Sequence, residues 1–240
     1  MIGRPSPNFD ARPDDTPIDM LVLHYTGMPG RDEALARLTD PAAEVSAHYL
    51  IDEDGTCYAL VAEEHRAWHA GRSFWRGWRN VNARSIGIEL VNPGHEFGYR
   101  PFPEAQMASL IALAGGILDR HPIPARNVVA HSDIAPTRKE DPGELFDWPG
   151  LAQAGIGLWP APGRLSGRPS AGSGHGDGDS GWIRRLALLG YDIGMPEKDG
   201  KVAAKAALKA FQRHFRPACL DGVPDPETLD RICILCSMIP

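Results

Sequence analysis

Between residues 163 and 181 the chain nearly stops carrying side chains that could enter a core: seven of these nineteen positions are Gly and four are Ser. Such a stretch cannot bury enough apolar surface to fold, and it reads as a flexible linker. The expected plan is a domain over residues 1–160, a linker over 161–180 and a small domain over 181–240. A tether of this composition predicts that the small domain moves independently of the large one; the alternative is that the helices after Trp182 dock on the large domain and complete its cleft.

The first segment alternates strand and helix signals. Residues 18–25 form a strand rich in Leu and Val, and 32–38 a short helix. Residues 48–52 and 56–61 flank Asp54-Gly55, a hairpin turn signal. Residues 85–91 and 126–131 read as further strands. Pro103 opens a long helix in which Met107, Leu110, Ile111, Ala114, Ile117 and Leu118 recur at helical spacing, until His121-Pro122 stops it. Helices interleaved with strands and at least one hairpin predict an α/β domain with a mixed central sheet flanked by helices. The last segment predicts three short helices: 182–189 ending at Gly190, 201–215 with Ala204, Leu208, Phe211 and Phe215 on one stripe, and a third capped by Asp225 with Pro226 at its first position.

Composition excludes several classes. A formal net charge of -6 disfavours nucleic acid and anionic membranes as partners. No apolar run reaches the ~18 residues of a membrane span. The first residues lack the apolar core of a signal peptide, so a cytoplasmic chain is expected unless a leader was removed. Oligomeric state has no signature here. Four cysteines are too few for a disulfide scaffold. Cys233 and Cys236 form a C-x-x-C pair, but with Leu229 and Ile232 they also fall on a helical stripe, which favours core packing over a site.

Three features carry chemistry. His24 and His131 each end an apolar strand, and Asp141 follows in a loop closed by Pro142-Gly143. Two His and a carboxylate make a three-ligand set that leaves a zinc position open, as a catalytic site requires. By spacing alone, each His also fits a hydrogen-bonded structural role and Asp-Pro-Gly fits a turn. Glu89 interrupts an apolar strand, where a carboxylate is costly unless a salt bridge or a site explains it. Strand alternation puts Glu89 on one face with Ser85 and Gly87, small residues that leave room for a ligand. Lys139, two residues before Asp141, fits either an oxyanion contact or an ordinary solvated lysine.

Five motifs occur in one order: Leu21-Val22-Leu23-His24-Tyr25-Thr26, Ser46-Ala47-His48-Tyr49-Leu50-Ile51, Ala67-Trp68-His69-Ala70-Gly71, Ser85-Ile86-Gly87-Ile88-Glu89, and His131-Ser132-Asp133-Ile134-Ala135-Pro136-Thr137-Arg138-Lys139-Glu140-Asp141-Pro142-Gly143. The set resembles the type 2 N-acetylmuramoyl-L-alanine amidases over nearly all of residues 1–160. The resemblance implies Zn2+ held by His24, His131 and Asp141, catalysis by Glu89 and Lys139, and His48, Trp68 and His69 in the substrate-binding wall. It implies hydrolysis of the bond between N-acetylmuramic acid and L-alanine in peptidoglycan or muropeptide fragments, in cell-wall turnover or recycling. Leu188-Leu189-Gly190-Tyr191, Ala210-Phe211-Gln212-Arg213-His214-Phe215 and residues 221–228 are similar to a three-helix peptidoglycan-binding domain, with departures at Pro217-Ala218-Cys219 and at Asp225, where Gly is usual. Two other readings stand beside this one: a non-catalytic peptidoglycan-recognition protein, and a zinc peptidase acting within the stem peptide. All three ligand positions are filled here, which favours the enzyme.

Overall fold

The computed structural model describes residues 1–160, 181–194 and 200–239. Apart from Gly181, the Gly/Ser stretch lies outside the described residues. The strands are β1 (Ile2–Gly3), β2 (Phe9–Ala11), β3 (Met20–Tyr25), β4 (Tyr49–Ile51), β5 (Cys57–Ala59), β6 (His65–Ala67), β7 (Ser85–Leu90) and β8 (Val128–Ala130). The helices are α1 (Arg31–Thr39), α2 (Val81–Arg84), α3 (Gly94–Phe97), α4 (Glu104–Arg120), α5 (His131–Ile134), α6 (Trp148–Gln153), α7 (Gly181–Leu189), α8 (Gly200–Phe215) and α9 (Pro226–Met238).

Six strands form one sheet in the order β1-β5-β4-β7-β3-β8, and β2 pairs with β6 in a second, two-stranded sheet. The run β4-β7-β3-β8 is parallel, while β5 returns antiparallel to β4 through the turn at Gly55, where φ is +86°. The expected mixed α/β sheet flanked by helices is therefore present. β3 is apolar at every position up to His24, as a strand covered on both faces must be. Leu21 and Leu23 pack with Ile86, Ile88 and Leu90 against Leu110, Ala114 and Ile117 of α4. Residues two apart share a face, so Met20, Val22 and His24 look the other way.

On that other face, α1 covers Leu50 through Leu35 and Leu38. Farther along, the C-terminal helices cover Met20, Val22 and Val129 with Leu186, Leu208, Phe211 and Phe215, in one hydrophobic cluster with Trp75, Val81 and Ile134. The expectation of an independently moving small domain does not fit this packing: the C-terminal helices complete the sheet's second layer. Polar groups lock the junction. Tyr191 Oη donates to Asp133 Oδ1 at 2.7 Å, His214 Nδ1 lies 2.6 Å from Asp133 Oδ2, and the His214 ring stacks on Trp148 at 3.6 Å between centroids.

The three C-terminal helices fall where periodicity puts them. Gly190 ends α7 at φ +135°, and the Asp225 carboxylate accepts from Thr228 N–H at 2.9 Å at the start of α9. The expected core packing of the cysteine pair holds for Cys236, which packs against the core cluster, and fails for Cys233. The buried stripe of α9 is Thr228, Ile232 and Leu235, so Cys233 is exposed and Cys236 half-buried. Shifting the stripe by one position turns Cys233 to solvent. No helix among the described residues is long and apolar enough to cross a membrane.

Candidate active site

Beside α1, and walled by α3 and by the loops that follow β3 and α5, a gap opens over the carboxyl ends of β3 and β7, the position where ligands bind in open α/β sheets. A cleft of about 480 Å³ lies there. β3 lies between β7 and β8, so register fixes what enters the cleft. His24 pairs directly with Glu89, and His131 begins α5 one residue after β8 ends. Parallel partners in register project to the same face, which places His24 and Glu89 side by side.

The loop after α5 carries Asp141 back against both histidines. His24 Nδ1 lies 2.9 Å from His131 Nδ1 and 3.1 Å from Asp141 Oδ2, and His131 Nδ1 lies 3.0 Å from the same oxygen. All three residues are buried, and they are the one His/Cys/Asp/Glu group among the described residues that could hold a metal ion. A tetrahedral ion with ligand bonds of ~2.0–2.2 Å holds its donors roughly 3.3 Å apart, so a triangle of this size suits three corners of such a site. Two imidazole nitrogens and a carboxylate oxygen are a donor set that zinc accepts.

The electrostatics favour the ligand-ready protonation states. Burial first, and then His131, push His24 down to about 4. Burial opposes the Asp141 charge, but the His131 and His24 rings outweigh it and hold the carboxyl well below its usual range. Glu89 goes the other way: burial, and then repulsion from Asp141, raise it well above the ordinary carboxyl value, with Lys139 opposing. Glu89 lines the cleft, and its Oε2 is a buried atom with no hydrogen-bond partner. The salt bridge that would explain Glu89 structurally is absent among the described residues. Lys139 lines the same cleft, and its charge acts on both Glu89 and His24.

The three expected wall residues separate. His69 lines the cleft. His48 does not reach it: its ring is fully buried, Nδ1 accepts from Gly87 N–H at 3.0 Å, and Nε2 lies 3.2 Å from the His65 carbonyl. Burial, and then Arg12, push His48 down to about 3, as suits a neutral ring that supports β7. Trp68 is half-buried outside the cleft lining, with its N–H donating to Ser46 Oγ at 2.9 Å. The room expected at Ser85 and Gly87 is real, but the His69 ring fills it: a Cβ at Gly87 would collide with that ring.

Several residues here carried no separate sequence signal. Tyr25, His95 and Glu144 form a rim, with Tyr25 Oη 2.9 Å from His95 Nδ1 and His95 Nε2 3.2 Å from Glu144. Arg213, on α8, meets Glu140 at 3.0 Å, one residue from Asp141. Each pair joins distant segments, and no local spacing announces it.

A family model described as "N-acetylmuramoyl-L-alanine amidase" matches residues 14–144, which include the whole donor triangle and Glu89. The N-acetylmuramoyl-L-alanine amidase AmiD of Escherichia coli (strain K12) is 42% identical over 224 residues, covering 88% of this chain and 79% of that protein. The chain belongs to the N-acetylmuramoyl-L-alanine amidase family. A second model, described as "Putative peptidoglycan binding domain", matches residues 184–232 of this amidase. The 1,6-anhydro-N-acetylmuramyl-L-alanine amidase AmpD of Escherichia coli (strain K12) is 38% identical over 161 residues, 60% of this chain and 86% of that protein. Among solved structures, AmiD from E. coli in complex with anhydro-N-acetylmuramic acid-L-Ala-D-gamma-Glu-L-Lys superposes with a TM-score of 0.79 at 40% identity, covering 94% of this amidase and 91% of that chain. AmpDh3 from Pseudomonas aeruginosa in complex with anhydromuramic pentapeptide gives 0.81 at 34% identity, covering 95% of each chain.

Proposed function

We propose that this amidase hydrolyses the amide between the lactyl group of N-acetylmuramic acid and L-alanine in muropeptides, using zinc held by His24, His131 and Asp141. The observation that carries the reading is the donor triangle beside the unpartnered Glu89 oxygen in one cleft. Zinc, when bound, supplies Lewis acidity, acidifying water from a pKa of ~15.7 to about 7 and polarising a carbonyl.

The chain's own residues do the rest. Glu89, lodged where its charge is disfavoured, takes a proton from the attacking water as the new C–O bond forms. It then passes that proton to the alanine nitrogen as the C–N bond breaks, leaving a lactyl carboxylic acid and a free amine, which exchange one proton to become carboxylate and ammonium. Lys139 faces the negative charge that develops on the carbonyl oxygen. His69 closes the cleft wall behind His24. The anhydromuramyl peptides bound by the E. coli and P. aeruginosa relatives suggest the same substrate class and a role in cell-wall recycling.

Product analysis tests this. Purified protein incubated with anhydro-muropeptides should release a peptide with a free L-alanine amine and the intact aminosugar, read by mass spectrometry. Products cut within the stem peptide would overturn the amidase reading in favour of a peptidase. Lys139→Ala should lower turnover by roughly 10²–10³-fold, the usual loss of one oxyanion partner, with zinc content and melting temperature unchanged. Near-wild-type turnover in that variant removes Lys139 from the mechanism.

A further inference from the structure

Both histidines of the donor triangle present Nδ1 to it, so each must keep Nδ1 bare and carry its hydrogen on Nε2. Their Nε2 partners come from one turn. His24 Nε2 lies 3.1 Å from His69 Nδ1, and His131 Nε2 lies 3.2 Å from the Ala70 carbonyl. Asn82 Oδ1 pins this turn by accepting from His69 N–H at 3.2 Å and Ala70 N–H at 2.8 Å.

For His131 the Ala70 carbonyl can only accept. Arg138, a donor 3.4 Å from the same nitrogen, spends the two hydrogens of its near nitrogen on the Ala70 and Arg72 carbonyls at 2.8 and 2.9 Å, so the hydrogen placement is fixed at His131 Nε2. For His24 it depends on His69, which could face it with either a lone pair or a hydrogen. Counting hydrogens decides between them. Ser85 Oγ lies 2.7 Å from the Val81 carbonyl, so its single hydrogen goes there. Ser85 Oγ therefore accepts from His69 Nε2, 3.1 Å away. The His69 ring is buried, and its ring-nitrogen partners are His24 and Ser85, neither of them a carboxylate, so it is neutral and its second nitrogen is bare. His24 Nε2–H donates to that bare Nδ1, and His24 Nδ1 is left as a lone pair inside the triangle.

The reverse arrangement fails on the same count. If His24 carried its hydrogen on Nδ1, His69 would have to donate from Nδ1 and accept at Nε2. Ser85 would then point its one hydrogen at His69 and leave two bare oxygens 2.7 Å apart in a site closed to water. Gly87 completes the device, since its missing Cβ is what seats the His69 ring on β7.

We propose that His69 is a positioning residue: oriented by Ser85 and the Val81 carbonyl, it fixes His24 as the Nε2–H tautomer and so keeps Nδ1 available to zinc. This rests on the reading of the triangle as a zinc site. Partners of this kind, hydrogen-bonded to metal-ligating histidines, typically change metal affinity by about 10–100-fold when removed.

Two measurements on the full chain test it. The first is the zinc dissociation constant by chelator competition for wild type, His69→Phe, which keeps a flat ring but cannot accept, and His69→Gln, which can accept from His24 and donate to Ser85. The Phe variant should bind zinc 10–100-fold more weakly and Gln should recover most of the loss. The second is the tautomer of His24, read from ring-nitrogen shifts by NMR in the zinc-free wild type and in Ser85→Ala. Wild type should show Nε2–H, and Ser85→Ala should show a mixture. Zinc binding by His69→Phe as tight as wild type, or an Nδ1–H tautomer at His24 in the wild type, overturns the proposal. If His69→Phe does not fold, the tautomer measurement decides alone. A wild type that binds no zinc would refute the metal reading instead, while the tautomer of the zinc-free protein would still report on His69.

Discussion

Glu89→Gln should hold zinc at one per chain and hydrolyse muropeptides at least ~10²-fold, and up to ~10⁴-fold, more slowly than wild type, the span attributed to a positioned general acid–base group. The separation of the two readouts follows from geometry. Glu89 is paired with His24 across the strands but is not in the donor triangle, so its loss removes no ligand. The amide is nearly isosteric and has no charge to desolvate. Burial and Asp141 already disfavour the carboxylate at this position, so the fold should be no less stable. Metal analysis, melting temperature and turnover of one preparation check all three statements. Turnover within a few-fold of wild type would show that Glu89 moves no proton.

A chain ending at residue 160 should lose activity on soluble muropeptides and on sacculi alike. A tethered binding module would predict a different outcome, with loss on the polymer alone. The packing decides between them. Met20, Val22, Val129, Ile134 and Trp75 are all buried in a cluster shared with the C-terminal helices. Fully burying such a side chain contributes about 1.5–3 kcal/mol. Baring even three or four of them costs about 5–10 kcal/mol, comparable to the whole stability of ordinary domains, ~5–15 kcal/mol. At roughly 2–4 °C per kcal/mol the melting temperature should fall by well over 10 °C. The damage should reach the chemistry, because Asp133 lies two residues from His131 and loses Tyr191 and His214, while Glu140, next to Asp141, loses Arg213. A truncated chain that melts near wild type and cleaves small muropeptides at the full-length rate would contradict this account.

What the sequence revealed follows from how local each signal is. The strand that carries His24, the Asp54-Gly55 hairpin, the long helix after Pro103 and the Asp225-capped helix are each written in one short continuous segment, and all are present. The donor triangle was legible because each of its two histidines closes an apolar run, yet only the sheet order β7-β3-β8 brings those runs together. The docking of α8 was not legible. Its stripe of Ala204, Leu208, Phe211 and Phe215 explains one face, while nothing in the periodicity speaks for burial of Gln212, Arg213 and His214. They are buried, and two of them meet Glu140 and Asp133, some 70–80 residues earlier in the chain. Gly87 shows the same limit in miniature: the gap it leaves was visible, but not that the ring filling it comes from His69.

The central claim is that zinc on His24, His131 and Asp141 drives cleavage of the muramyl–alanine amide. The most direct test strips the metal with a chelator, removes the chelator and titrates zinc back while mass spectrometry follows muropeptide products. Activity should vanish in the stripped protein and return in proportion to zinc, levelling off at one equivalent per chain. Full turnover in protein shown to be metal-free would contradict it.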